Sequence, residues 1–281
     1  MTETSDLRPV VRIVAGQGAS DGAGVQLTRV IGSSALSELD PFLLLDEFGS
    51  DDPKAYIAGF PDHPHRGFET VTYMLEGHMR HRDNHGNQGD LGPGSVQWMT
   101  AGRGIVHSEM PLQEDGLMRG FQLWVNLPAR DKMTAPRYQD IQGDAIPEVK
   151  RGNGAKIRVI AGRTEEGTVG PIAGIPTEPL YLDVALAPDA EFIETVPAGH
   201  NAFAYVYDGT ATIAGQRIAA HRLAVLGPGT RFGALAGSEG ARLLLVAGRP
   251  LGEPVARYGP FVMNTRQELE QAFADYQAGR F

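Results

Sequence analysis

Cysteine is missing from all 281 residues, which removes disulfides, thiolate zinc sites and cysteine nucleophiles together. Histidine and carboxylate side chains are left as the strong metal ligands. Long apolar runs are missing as well: the longest, such as Phe42 to Leu45 and Leu243 to Ala247, are far too short to span a bilayer. Met1 to Asp6 is polar, with no basic start and no apolar segment behind it, so the chain is read as unexported and cytoplasmic, without a membrane partner. There is no excess of positive charge either. A formal charge of -9 and a pI near 5.4 give an average surface that repels phosphate backbones and anionic lipid. Arg80, Arg82 and Arg103 form no aromatic-interleaved stripe, so no direct nucleic-acid partner is expected.

What is present is glycine (36) and proline (19), spread along the chain, with 42% apolar and 21% charged residues. That balance suits short strands and tight turns, and the length suits two domains. Period-two segments recur at Gln26 to Ile31, Phe68 to Leu75, Val96 to Met99, Phe121 to Leu127, Ile157 to Ile160 and Leu180 to Leu186. Short strands at such spacing predict an all-β sandwich or barrel.

Two stretches repeat one another. Tyr73-Met74-Leu75-Glu76-Gly77 matches Tyr205-Val206-Tyr207-Asp208-Gly209, and Leu91-Gly92-Pro93-Gly94 returns as Leu226-Gly227-Pro228-Gly229, at offsets of 132 and 135 residues. The halves read as two copies of one β unit, 1–140 and 141–281, with the boundary inside Pro136 to Pro179, although strand-turn-strand grammar can also reuse such words. The end of the chain differs in kind. Asn264 or Thr265 can cap a helix, Thr265 and Glu268 have capping-box spacing, and Leu269, Ala272, Phe273 and Tyr276 share one helical face, expected to dock on a barrel.

The candidate chemistry lies in the first half. His63 and His65 are two apart with Pro64 between them, which in extended backbone puts both imidazoles on one face. His107 and Glu109 show the same spacing in a glycine-rich context after a strand. Two such pairs on facing strands make three imidazoles and one carboxylate, a donor set for one divalent iron, manganese, cobalt, nickel, copper or zinc ion. Spacing alone fits unrelated turn histidines and a solvated glutamate equally well. Glu69 has the parity of His63 and His65 and faces the same interior if the strand runs unbroken through Gly67. It then serves as an extra ligand or a base, and otherwise as a glutamate bonded to backbone. Gln97, Trp98, Gln122 and Trp124 are cavity or packing residues. His78 and His81, beside a hairpin with Arg80 and Arg82, read as solvated, and His200 and His221 as isolated.

The run His63-Pro64-His65-Arg66-Gly67-Phe68-Glu69-Thr70-Val71-Thr72-Tyr73, with Gln97-Trp98-Met99-Thr100-Ala101-Gly102-Arg103-Gly104-Ile105-Val106-His107-Ser108-Glu109-Met110-Pro111, closely resembles the pirin family of the cupin superfamily. The likeness extends to Leu45 to Gly49, Phe121 to Pro128 and Tyr258 to Thr265. It implies a bicupin of two antiparallel β-barrels with a metal, usually iron as Fe(II), only in the N-terminal one, held by His63, His65, His107 and Glu109. Glu69 matches the glutamate of the general cupin motif, which pirins do not use as a direct ligand. Ser95 departs from the family, where Asp is common, and is expected to alter a turn and leave the metal untouched. At the repeat offsets, Thr195, Pro197, Arg242 and Leu244 stand opposite the four ligands, so one metal per chain is expected.

The resemblance also implies two functions of different class. One is a quercetin 2,3-dioxygenase, opening a flavonol ring with O2 and releasing CO, with Glu109 or Glu69 as the base for a small aromatic substrate. The other is a metal-binding regulator with a protein partner, such as a transcription factor or a metabolic enzyme. The chain is expected to be a monomer.

Overall fold

The structure, a computed structural model, describes residues 6–281, so Met1–Ser5 of the polar start lie outside the described residues. Every period-two segment singled out in the sequence lies on a strand, save that Leu127 falls one residue past its end. In chain order these are β1 (Val10–Ala15), β2 (Gln17–Asp21), β3 (Val25–Ile31), β4 (Phe42–Ser50), β5 (Phe60–His65), β6 (Phe68–Glu76), β7 (Met79–Asp83) and β8 (Gln88–Leu91). They continue with β9 (Val96–Thr100), β10 (Ile105–Pro111), β11 (Met118–Asn126), β12 (Arg137–Ile141), β13 (Glu148–Lys150), β14 (Ala155–Ala161) and β15 (Leu180–Leu186). The remainder are β16 (Glu191–Thr195), β17 (Asn201–Ile213), β18 (Gln216–Ala219), β19 (Arg222–Leu226), β20 (Arg231–Gly248), β21 (Ala256–Tyr258), β22 (Phe261–Met263) and α1 (Arg266–Gln277). Among the described residues the fold is all-β with one α-helix, and no helix is long and apolar enough to cross a membrane.

Two compact units emerge, and they do not follow a cut at 140/141. One holds 18–32, 41–144 and 251–281; the other holds 6–17, 33–40 and 145–250. The correction has a physical reason: backbone pairing over large sequence separations overrides chain order. β1 pairs antiparallel with β19 in the second unit. At the other end, α1 and the β21–β22 hairpin belong with the histidine-bearing unit, where Arg66 binds Asp275 of the helix at 2.7 Å. The helix itself begins as its sequence predicts, with Thr265 and Glu268 forming a capping box. Of its expected docking face Ala272 is fully buried, while Tyr276 stays exposed.

The first unit is built from a four-stranded sheet, β5-β10-β7-β8, and a seven-stranded sheet, β12-β9-β6-β11-β4-β3-β2. The second repeats this plan with longer strands: β17 and β20 each bend and serve in both walls, so β16-β20-β17-β18 corresponds to β5-β10-β7-β8. The repeated Leu-Gly-Pro-Gly words are not counterparts in this alignment. The first joins β8 to β9, and the second follows β19, the counterpart of β9. Arg242 and Leu244 accordingly fall in the part of β20 that pairs with β15. The buried positions of the strands matching β5 and β10 are instead Phe192 and Glu194 on β16 and Phe232, Ala234 and Ala236 on β20, all but Glu194 in the apolar core. Ser95, the one departure from the family pattern, accepts a hydrogen bond from the Gly143 amide at the loop after β12.

Candidate metal centre

β5 and β10 run antiparallel with His107 opposite His63 and Ile105 opposite His65. The register shifts between His107 and Glu109, where Pro61 and Asp62 of β5 stand opposite Ser108 alone, a bulge of the kind that re-aims side chains beside functional sites. The three imidazoles meet there. Their ring centroids lie 4.4 to 5.1 Å apart, and each offers a nitrogen within 4.8 Å of the others. Among the described residues this is the one cluster of three such donors. Glu109 is not part of that tight group, but its side chain is buried beside it and lines the same cavity as His63 and His65.

The donor set fits a metal on grounds of its own. His107 is fully buried and neither ring nitrogen has a hydrogen-bond partner, an arrangement that a bound cation relieves. Burial, reinforced by the neighbouring histidines, holds His65 and His107 well below the ordinary histidine pKa, which keeps them in the neutral form that coordinates metals. His63 Nδ1 lies 2.8 Å from the Pro61 carbonyl, which fixes its tautomer and leaves Nε2 for the metal. Thr72 Oγ1 donates to Glu109 Oε1 at 2.7 Å. The Gln122 amide lies 2.7 Å from the same hydroxyl, and because a hydroxyl has one proton, the amide N–H2 end belongs on that side.

Glu69 does not reach this site. Thr72 faces Glu109, and the strand is regular from 69 to 72, so Glu69 projects to the opposite face of the sheet. The alternation from His63 and His65 breaks at Gly67, where β5 has ended and β6 has not begun. Gly67 has φ +89°, and a Cβ there would lie 1.9 Å from the Val262 carbonyl oxygen. On its own face Glu69 is fully buried, accepts from Thr100 Oγ1 at 2.7 Å, and burial pushes its carboxyl up to about 7. Trp98, opposite Val71, shares that face, whereas Gln97, opposite Thr72, is on the side of the site.

His81 is the second correction. It is buried, its Nε2 is 2.7 Å from Asp140 Oδ2, and its ring stacks on Tyr138. The expected solvated hairpin histidine is in fact an interior residue, because its carboxylate partner comes 59 residues later on β12.

The cavity beside the histidines has a volume of about 580 Å3, within the range of small-molecule sites. Trp124 supplies one wall, packed against His65 and Phe68, and Leu27, Leu44, Phe48 and Phe60 supply more apolar surface. The C-terminal segment contributes Pro260 and Arg257, whose guanidinium lies 4.8 Å above the Trp124 ring. The same segment is stitched to the ligand turn by Lys132, whose buried Nζ donates to the Gly67 and Val262 carbonyls and to Asn126. Sequence reasoning missed Thr72, Arg257 and Lys132. The one available signal was the polar Thr70 and Thr72 alternating with apolar residues on a central strand.

Comparison with known proteins agrees with this architecture. Residues 24–125 match the Pirin family and residues 181–281 the Pirin C-terminal cupin domain. A pirin-like protein of Caulobacter vibrioides is 56% identical over 275 residues, covering 98% of this chain and 99% of the relative. A Pseudomonas aeruginosa protein named "Putative quercetin 2,3-dioxygenase" is 51% identical over 278 residues, 97% of each chain. Among solved structures, a quercetin 2,3-dioxygenase from Acinetobacter baumannii superposes with a TM-score of 0.90 at 33% identity, covering 98% of both chains. With both halves matched and relatives aligned end to end, the chain belongs to the pirin family of two-domain cupins.

Proposed function

We propose that this chain is a metal-dependent dioxygenase that opens the ring of a flavonol with O2 and releases CO, in the manner of a quercetin 2,3-dioxygenase. The observation that carries this reading is three converging imidazoles, those of His65 and His107 buried, and Glu109 set into an aromatic-walled cavity of about 580 Å3. The similar proteins named for quercetin dioxygenation support it. His63, His65, His107 and Glu109 hold one divalent metal per chain, most readily Fe(II). Bound there, such a metal supplies Lewis acidity toward the 3-hydroxyl and 4-oxo oxygens of a flavonol.

The protein's own groups do the rest. Trp124 and the neighbouring apolar side chains bind the flat ring system and exclude water. Glu109, with Oε1 held by Thr72, accepts the 3-hydroxyl proton. Glu69, on the far face of the sheet, takes no part. His107→Ala removes a central ligand, and the expected outcome is loss of stoichiometric metal and of flavonol-dependent oxygen uptake and CO release. Retained flavonol cleavage by this variant would overturn the assignment. A metal-loaded wild type that takes up no oxygen with any flavonol, yet co-purifies with a partner, would favour the regulatory function.

A further inference from the structure

A polar row crosses the interior of the first barrel. Arg29 stands opposite Asp46, Asp46 opposite Gln122, Gln122 opposite Thr72, Thr72 opposite Gln97, and Gln97 opposite Asp140. Residues directly opposite in an antiparallel sheet share a face, so all six point to the side on which Gln122 lines the cavity. On the facing sheet, Glu109 stands opposite His81. Two hydrogen bonds join the sheets: Thr72 to Glu109 at 2.7 Å, and His81 with Asp140 at 2.7 Å. Gln97 therefore sits inside a closed frame, with Thr72 and Asp140 on either side and Glu109 and His81 across from it.

The Gln97 side chain is fully buried, and neither Oε1 nor Nε2 has a hydrogen-bond partner in the protein. His81 Nδ1 is in the same condition. A primary amide carries two donors and an acceptor, and a buried one left unmatched is a strong sign of an ordered water, which needs two to four polar partners. The frame provides them in Gln97, Thr72, Asp140 and His81. Gly89 makes the far corner possible, because a Cβ there would lie 2.2 Å from His81 Nε2 and 2.5 Å from Asp140 Oδ2.

We propose that Gln97 holds a buried water inside this frame and, by bridging the Thr72–Glu109 pair to the His81–Asp140 pair, acts as a positioning residue for the Glu109 carboxylate at the metal. The proposal rests on the metal reading above. The test uses Co(II)-loaded protein, whose visible ligand-field spectrum reports the geometry around the ion, with Gln97→Leu and Gln97→Asn. Gln97→Leu keeps most of the volume and removes both polar groups; its Co(II) spectrum should shift and its Co(II) dissociation should accelerate about 10- to 100-fold. Gln97→Asn, which keeps the amide, should largely restore both. In crystals of the loaded wild type, solvent should lie within about 3.2 Å of both Gln97 side-chain atoms. A folded Gln97→Leu with the wild-type spectrum and dissociation rate overturns the proposal, as does a dry Gln97 in those crystals, and the crystal result decides alone if Gln97→Leu does not fold. A wild type that binds no Co(II) overturns the metal reading itself, whereas a loaded wild type beside an indifferent Gln97→Leu overturns only the role of Gln97.

Discussion

Glu69→Gln separates the general cupin motif from the geometry of this chain. The folded protein holds the Glu69 proton up to about pH 7, while the unfolded chain releases it near 4.5. Between those values the folded state binds more protons, so stability falls as pH rises through the window and levels off above it. A shift of this size corresponds to about 3 kcal/mol. Glu69 and Gln97 point to opposite faces of the sheet, and the metal ligands lie on the side of Gln97, so the variant should leave the site intact. The assay is urea unfolding of metal-free wild type and Glu69→Gln at several pH values between 4.5 and 8. Tryptophan fluorescence suits it, because the chain's two tryptophans, Trp98 and Trp124, both belong to the histidine-bearing unit. Stability of the wild type should drop relative to the variant by up to that amount across the window, while metal content and turnover of the variant stay within a few-fold of wild type. Loss of metal or turnover in a folded Glu69→Gln, with a pH-independent stability difference, would refute the placement of Glu69.

Two further variants probe the supports of the site. Thr72→Val removes the hydroxyl that holds Glu109 Oε1, and chelator competition should show metal affinity lowered about 10- to 100-fold; unchanged affinity would mean that Glu109 needs no such support. Gly67→Ala forces a side chain into a left-handed residue against the Val262 carbonyl and should destabilise the protein by about 2–4 kcal/mol in thermal or urea unfolding. A variant as stable as wild type would show that the turn can relax.

The strands and the capping box of α1 were legible in the sequence because each depends on local periodicity or spacing, whereas the convergence of His63 and His65 on β5 with His107 on β10 was legible only through the resemblance to the pirin family. The failures share a cause of the opposite kind. Glu69 was misplaced because alternation does not survive Gly67, whose conformation is dictated by Val262 nearly 200 residues away. His81 looked solvated because neither Asp140 nor the room left by Gly89 can be read from its neighbours. The exchange of chain ends between units depends on pairing such as β1 with β19, which no local pattern announces.

The second unit contains a row in the same place as the polar one: Val159, Leu182, Leu245, Ala204 and Ala224 stand opposite one another in turn and belong to one apolar core. Such a row tolerates exchange among apolar residues of similar volume, since none of its members depends on a particular neighbour's proton. The polar row has no such freedom. Building a second metal centre into this protein is therefore more than a matter of installing three histidines and a glutamate on the facing positions of β16 and β20. The carboxylate would arrive in an oily interior with nothing to hold it, and the row behind it would have to be rewritten first.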